Sequence, residues 1–175
     1  MHQAAGPRLR IDHILRHPRI RPTVARWIFD EWWRDKPGHS PATLDARLKQ
    51  ACDPDRVPLS LVALLEGRPV GTVNLVENDN ESRPDLTPWL AALLVVPELR
   101  GRGIGSDLIR TLVAEAKRLG NGRLYLGTDI RVYYQRFGAQ VHEEVKGDYC
   151  IMRLDTRAWT DRSRSDLRGG LPGRE

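Results

Sequence analysis

Three glycines stand within five residues in the stretch Arg100-Gly101-Arg102-Gly103-Ile104-Gly105-Ser106. Glycines at that density leave the main chain bare, so a ligand can reach backbone N–H groups that side chains would otherwise cover. Ile104, Leu108, Leu112, Ala116 and Leu119 then recur at three- and four-residue steps, with Ile109 and Val113 widening the stripe. That spacing predicts an amphipathic helix opening at the glycines. A helix start offers unpaired N–H groups and the positive end of the dipole, and its usual anionic occupant is a phosphate. Arg100 and Arg102 add two permanent positive charges, suited to more than one phosphate.

Two phosphate-binding motifs are excluded. A P-loop needs Gly-Lys-Ser/Thr after its glycines, whereas Gly105 runs into Ser106 and Asp107. The dinucleotide fingerprint needs a third glycine where Ser106 stands and a βαβ unit that this chain does not open with. What remains is Arg-x-x-Gly-x-Gly from Arg100 to Gly105, behind the apolar run Leu90 to Val96 and Pro97. It resembles the coenzyme A site of the GCN5-related N-acetyltransferases. A second stretch, Val132-Tyr133-Tyr134-Gln135-Arg136-Phe137-Gly138-Ala139, resembles the family's aromatic-Tyr-x-x-x-Gly-aromatic helix, with Tyr134 at the tyrosine position. It departs from the pattern at Ala139, where the family carries an aromatic residue.

The resemblance implies an acetyl-CoA-dependent N-acetyltransferase that passes an acetyl group directly to a primary amine. Acetyl-CoA would be the acyl donor, with no metal. The amides of Arg102, Gly103, Gly105 and Ser106 would hold the diphosphate, with Arg100, Gly101 and Ile104 completing the loop. The pantetheine arm would pair with the strand before it, along Leu93, Leu94, Val95 and Val96, like an added strand. The Leu94 N–H would face the thioester oxygen and stabilise the oxyanion. Tyr134 would contact the cofactor and act as general acid: a phenol of pKa about 10 is protonated at neutral pH and can donate to a thiolate of pKa about 8.5.

The base is harder to place, because Pro88 to Val96 contains no Asp, Glu or His. Glu77, at the end of the preceding strand, is preferred over Asp79, Glu81 and Asp85, since strand ends position side chains better than loops. A water relayed to a carboxylate serves equally. Those four acids outnumber Arg83 and either attract a cationic acceptor or form a plain solvated loop. Asp129 and His142 read as structural.

The elements that must carry these residues follow in order. Leu9 to Ile14 reads as a short strand, Val24 to Trp33 as a helix stopped by Pro37-Gly38, and Ser40-Pro41 as the N-cap and first turn of a second helix through Leu44, Leu48 and Ala51. Trp27, Trp32 and Trp33 either pack against a sheet or wall an acceptor pocket. Leu59 to Glu66 and Pro69 to Glu77 form a hairpin around Glu66-Gly67-Arg68. Trp89 to Val96 is the strand feeding the glycine loop. Gly120-Asn121-Gly122 ends the long helix, Leu124 to Leu126 is a strand, Ile130 to Phe137 a short helix, and Val141 to Val145 with Tyr149 to Leu154 a last hairpin. This order, over residues 9–155, is that of the acetyltransferase fold: α+β, an α/β/α sandwich with a mixed, mostly antiparallel sheet of six to seven strands and about four helices. Residues 1–156 form the domain, and 157–175 a loose Arg/Ser/Gly-rich tail.

Composition sets outer bounds. One domain is expected of 175 residues, and 29% charged with 40% apolar residues suits a globular chain. No apolar run approaches the roughly 20 residues of a membrane helix, and the start lacks a signal-peptide h-region, so a cytoplasmic protein without a membrane partner is expected. Cys52 and Cys150 read as buried thiols. The net charge of +5 sits in the flanks: residues 1–22 carry +4 and 157–175 carry +2, leaving the body at −1. A nucleic-acid partner is therefore not expected. The expected partner is a small-molecule or peptide amine acceptor, with a homodimer left open. The competing class is a non-catalytic acyl-CoA-binding or sensing module on the same fold.

Overall fold

The apolar runs become seven strands of one sheet in a computed structural model that describes residues 8–159. They are β1 (Leu9–His13), β2 (Leu59–Leu65), β3 (Arg68–Val76), β4 (Trp89–Val95), β5 (Arg123–Thr128), β6 (Gln140–Lys146) and β7 (Tyr149–Asp155), in the order β1-β2-β3-β4-β5-β7-β6. Every neighbouring pair is antiparallel except β4 and β5. Four α-helices accompany the sheet: α1 (Arg21–Ile28), α2 (Pro41–Leu48), α3 (Ile104–Arg118) and α4 (Arg131–Gln135).

Local chemistry explains the boundaries. Glu66 and Gly67 both adopt left-handed backbone, φ 51° and 80°, as the two-residue turn between β2 and β3 requires. Ser40 and Thr43 close a capping box at the start of α2: the Ser40 hydroxyl accepts from the Thr43 amide at 3.2 Å, and the Thr43 hydroxyl accepts from the Ser40 amide at 2.9 Å. Gly120, at φ 81°, ends α3, and the Asn121 N–H reaches back to the Ala116 carbonyl at 2.9 Å. The expected helix through Trp33 differs in one respect. It is α-helical only to Ile28 and continues as a π-helical turn over Phe29–Trp33. Trp27 and Trp33 pack partly buried against the cluster under α1 and α2, Trp33 also lining a cleft on that face, while Trp32 is exposed.

Strand alternation sorts the interior into two layers. Leu61 and Ala63 of β2 face the cluster built on α3, with Leu108, Leu112 and Leu124 fully buried. Val62 and Leu64 face the other cluster, under α1 and α2 with Val24, Ile28 and Leu44. Packing runs past the expected boundary at 156: Trp159 stacks on Phe137 with centroids 6.3 Å apart. Residues 160–175 of the expected tail lie outside the described residues. Cys150 is buried as expected, but Cys52 is exposed and both thiols are free.

Candidate active site

The centre of the sheet is incompletely joined. β4 and β5 meet at one Cα pair, Trp89 with Tyr125, where the Tyr125 N–H donates to the Pro88 carbonyl at 2.9 Å. Beyond it no ladder pair joins the two strands among the described residues. Which β4 groups face this gap follows from the other edge. The Val96 N–H donates to the Val70 carbonyl at 3.0 Å, and Leu94 lies opposite Thr72 two residues along, so both face β3. The amides of Leu93 and Val95 therefore turn to the gap. This corrects the expectation that the Leu94 N–H faces a thioester. The physical cause is a bulge: Asn74 pairs with Ala91 but Thr72 with Leu94, so β4 holds one extra residue, and Ala92 takes a left-handed φ of 49°. The extra residue inverts the alternation.

The glycine loop lies at the far end of β4, after a 3₁₀ turn at Pro97–Leu99. Gly101 and Gly103 sit at φ 75° and 86°, where a side chain would be strained. Gly103 is the N-cap of α3 and supplies no side-chain bond; the first helical bond is Asp107 N–H to Gly103 carbonyl at 3.0 Å. The amides of Ile104, Gly105 and Ser106 thus keep no acceptor within the described residues. The Arg100 side chain donates through Nε to the Val95 carbonyl at 2.9 Å, on the gap side of β4. Arg100 and Arg102 are exposed and have no ion-pair partner among the described residues.

α4 brings two phenols to this end of the gap. Tyr133 packs over the loop, its hydroxyl 2.8 Å from where a Cβ on Gly105 would stand. Tyr134 is buried in the α3 cluster, edge-on to Tyr133 at 5.2 Å between ring centroids. Burial, with Tyr133 and the charge of Asp129 adding to it, pushes the Tyr134 phenol well above its ordinary pKa. Its hydroxyl has no hydrogen-bond partner among the described residues.

On the opposite face a cleft of about 120 Å³, open to solvent, lies between the α1–α2 pair and β2 to β4. Ala91 and Ala92 contribute to its lining, so it meets the gap at the bulge. Ser60 and Asn74 are opposite each other in the β2–β3 register, nearly fully buried, and both line the cleft. The Ser60 Oγ and Asn74 Oδ1 atoms have no hydrogen-bond partner among the described residues. Asp79 lines the cleft as well, at its exposed mouth. Crowding by the cleft withdraws water from its carboxyl and pushes the pKa up to about 6, against the opposing pull of Lys36 and Arg47.

The expected base, Glu77, is placed elsewhere. It is exposed, accepts from the Thr87 hydroxyl at 3.3 Å, and takes no part in lining the cleft. Asp85 pairs with Arg83 at 3.0 Å, and Arg83 also pairs with Glu143, so part of the loop's acidity is neutralised internally. His142 packs edge-on against Tyr125 at 5.3 Å between ring centroids.

The acetyltransferase family model, described as "Acetyltransferase (GNAT) family", matches residues 25–139, about two thirds of the chain. The chain belongs to the GNAT acetyltransferase family. The fold of this acetyltransferase agrees with solved structures. An aminoglycoside 6'-N-acetyltransferase complexed with coenzyme A is 16% identical, with a TM-score of 0.67 over 87% of this chain and 99% of that one. YncA, an acetyltransferase of Salmonella typhimurium solved with its cofactor acetyl-CoA, is 16% identical, with a TM-score of 0.64 over 85% and 94%. A GNAT acetyltransferase of Streptococcus pneumoniae is 17% identical, with a TM-score of 0.63 over 85% and 99%. None of the curated proteins matches the chain in sequence. Among the described residues no cluster of His, Cys, Asp or Glu could hold a metal ion, and no helix is long and apolar enough to cross a membrane.

Three features of the acetyltransferase escape a reading of its sequence. The bulge at Ala92 carries no sequence signal. Ser60 and Asn74 had one: they are polar residues inside the apolar runs Leu59–Leu65 and Arg68–Val76. Arg47 carries no signal that separates it from any other charge on a helix.

Proposed function

We propose that this acetyltransferase moves an acetyl group from acetyl-CoA directly to a primary amine bound in the cleft. One observation carries the reading: the unpaired edge of β4 runs from the cleft to a helix start whose first amides are free. The residues fit the donor. Ile104, Gly105 and Ser106 amides bind a diphosphate beside Arg100 and Arg102, and the gap-facing groups of Leu93 and Val95 pair with an amide-bearing arm. Arg100 leaves the Val95 carbonyl when that arm pairs with it.

Acetyl-CoA supplies the acyl group, already activated as a thioester. The Leu93 N–H, beside the bulge, polarises the acetyl carbonyl, a contribution of about 3 kcal/mol when such a donor is removed from comparable sites. Asp79 takes the proton from the attacking amine, a role for which a carboxyl titrating near 6 is mostly ionised at neutral pH. Tyr134 holds its proton at every physiological pH and gives a hydrogen bond, then the proton, to the departing sulfur. The apolar surroundings that raise the phenol also favour the neutral thiol over the thiolate.

Calorimetry with acetyl-CoA, followed by thiol-release rates with an amine panel, tests the proposal. Heat on titration and CoA release with at least one amine are expected. Tight CoA binding with no turnover on any amine would establish a sensing module instead, and absence of binding would remove both.

A further inference from the structure

We infer that the cleft is built for an amine that also carries an acidic group, a small zwitterion with an apolar body, its acid on Arg47 and its amine between Asp79 and the Ser60–Asn74 pair. This rests on the transfer reading above and names its acceptor.

The argument begins with charges that share a cleft without touching. Asp79 and Arg47 both line it, and neither has an ion-pair partner within 4.0 Å among the described residues. Arg47 lies over the Trp33 ring, 5.0 Å from its centroid, and Lys36 lies over the same ring at 4.4 Å. His39 packs against that indole at 4.2 Å, so Trp33 is a platform that gathers two cations at one wall. Such a wall repels a polycation. A simple monoamine would leave Arg47 without an anion, whereas a carboxylate matches the guanidinium's planar fork.

The inner end supplies the second half. Ser60 and Asn74 are only 2% and 5% exposed, and their side-chain oxygens meet no hydrogen-bond partner among the described residues. Buried polar atoms without partners are costly, and a ligand N–H satisfies them. They sit beside Ala91 and Ala92, where the cleft meets the gap that would deliver the acyl group. Ile28, Leu44, Leu48 and Val76 complete the wall and suit an apolar side chain. Lys36, Arg47 and Tyr149 are the charged or titratable groups that act with Asp79.

The step balances without a further reactant. The ammonium gives one proton to Asp79, the freed lone pair forms the N–C bond to the acetyl carbon, and the C–S bond breaks with both electrons going to sulfur. Tyr134 protonates that sulfur, and the second proton of the new amide nitrogen returns to the Tyr134 oxygen while Asp79 releases its own to water. The acid group on Arg47 is unchanged throughout.

Thiol-release kinetics with the full chain and acetyl-CoA, using L-leucine, L-phenylalanine and L-leucyl-glycine against their methyl esters, spermidine and kanamycin, test the inference. Binding of L-leucine alone, followed by tryptophan fluorescence, is the parallel readout. The free acids are expected to exceed their esters at least tenfold in kcat/KM. Arg47→Ala should raise KM for the acids about tenfold while leaving that for acetyl-CoA unchanged, with Arg47→Lys intermediate. Esters, spermidine or kanamycin used equally well or better would overturn the inference and leave the transferase reading intact. So would an Arg47→Ala enzyme with unaltered KM, or L-leucine giving neither binding nor turnover. L-leucine that binds, weakened by Arg47→Ala, in a protein that never releases CoA would uphold the recognition and overturn the transfer.

Discussion

Tyr134 keeps its proton because burial disfavours the phenolate, and its hydroxyl is engaged by nothing in the described chain. Tyr134→Phe therefore removes a donor that only the reaction uses. It should lower kcat about 10²-fold, leave KM for acetyl-CoA unchanged, and leave the melting temperature where it was. Asp79 has the opposite problem, since ionising it in its cleft is unfavourable. Below about pH 6 the carboxyl is protonated and cannot act as base, so kcat/KM should fall about tenfold per pH unit on that limb. Asp79→Asn should abolish the limb along with most of the rate. The linkage sign is that of a folded-state pKa raised above the ordinary 3.8. The stability cost is absent below the unfolded value and complete above the folded one, so Asp79→Asn should melt higher at pH 8 than the parent and no higher at pH 3.5. Tyr134 and the glycine loop were legible in the sequence because they are a short motif, fixed by local spacing. The carboxylate that lines the cleft was not, because Glu77 and Asp79 are two residues apart and only the course of the chain after β3 decides which one turns into it.

Elements were legible wherever a local rule fixes them. The Ser40–Pro41 cap, the Glu66–Gly67 turn and the stripe of α3 all stand where spacing placed them. The bulge was not legible: Trp89-Leu90-Ala91-Ala92-Leu93-Leu94-Val95 is uniformly apolar, so nothing in it distinguishes one side of the strand from the other. A single extra residue opposite Val73 then moved the gap-facing amides from Leu94 to its neighbours. Two substitutions test this scale. Ser40→Ala breaks the capping box that holds the start of the helix carrying Arg47, and should cost about 1 kcal/mol, read as about 3 °C in melting temperature. Gly103→Ala forces a Cβ into left-handed backbone at the N-cap of α3, at a cost of about 1 kcal/mol. Its signature should be weaker CoA binding by calorimetry with the acceptor's KM unaltered.

At the scale of the molecule, the excess charge lies at the ends of the chain and the enzyme's body is nearly neutral. One of those basic segments is stapled down by Asp12. Burial pushes that carboxyl up, but the His17 hydrogen bond, the His13 amide and the charges of Arg10 and Arg16 outweigh it and hold its pKa below the ordinary value. This stabilisation is complete above the unfolded value near 3.8 and is lost as pH falls through the lower folded value. Asp12→Asn should thus lower the melting temperature at pH 7 and lose most of that difference at pH 2.5. The donor ought to act on the whole fold too. A ligand that binds only the folded chain at a hundred times its Kd adds about 2.7 kcal/mol, so saturating CoA should raise the melting temperature by about 5–10 °C.

The one-pair junction of β4 and β5 has a consequence of its own. Free strand edges ordinarily invite other chains, and proteins blunt them at the rim of a sheet. This enzyme keeps two such edges in its middle, where β4 and β5 part after a single pair. A molecule that offers an amide donor and a carbonyl at strand-like spacing can zip that seam. The place where the sheet fails to close thus turns a hazard of open strands into a berth.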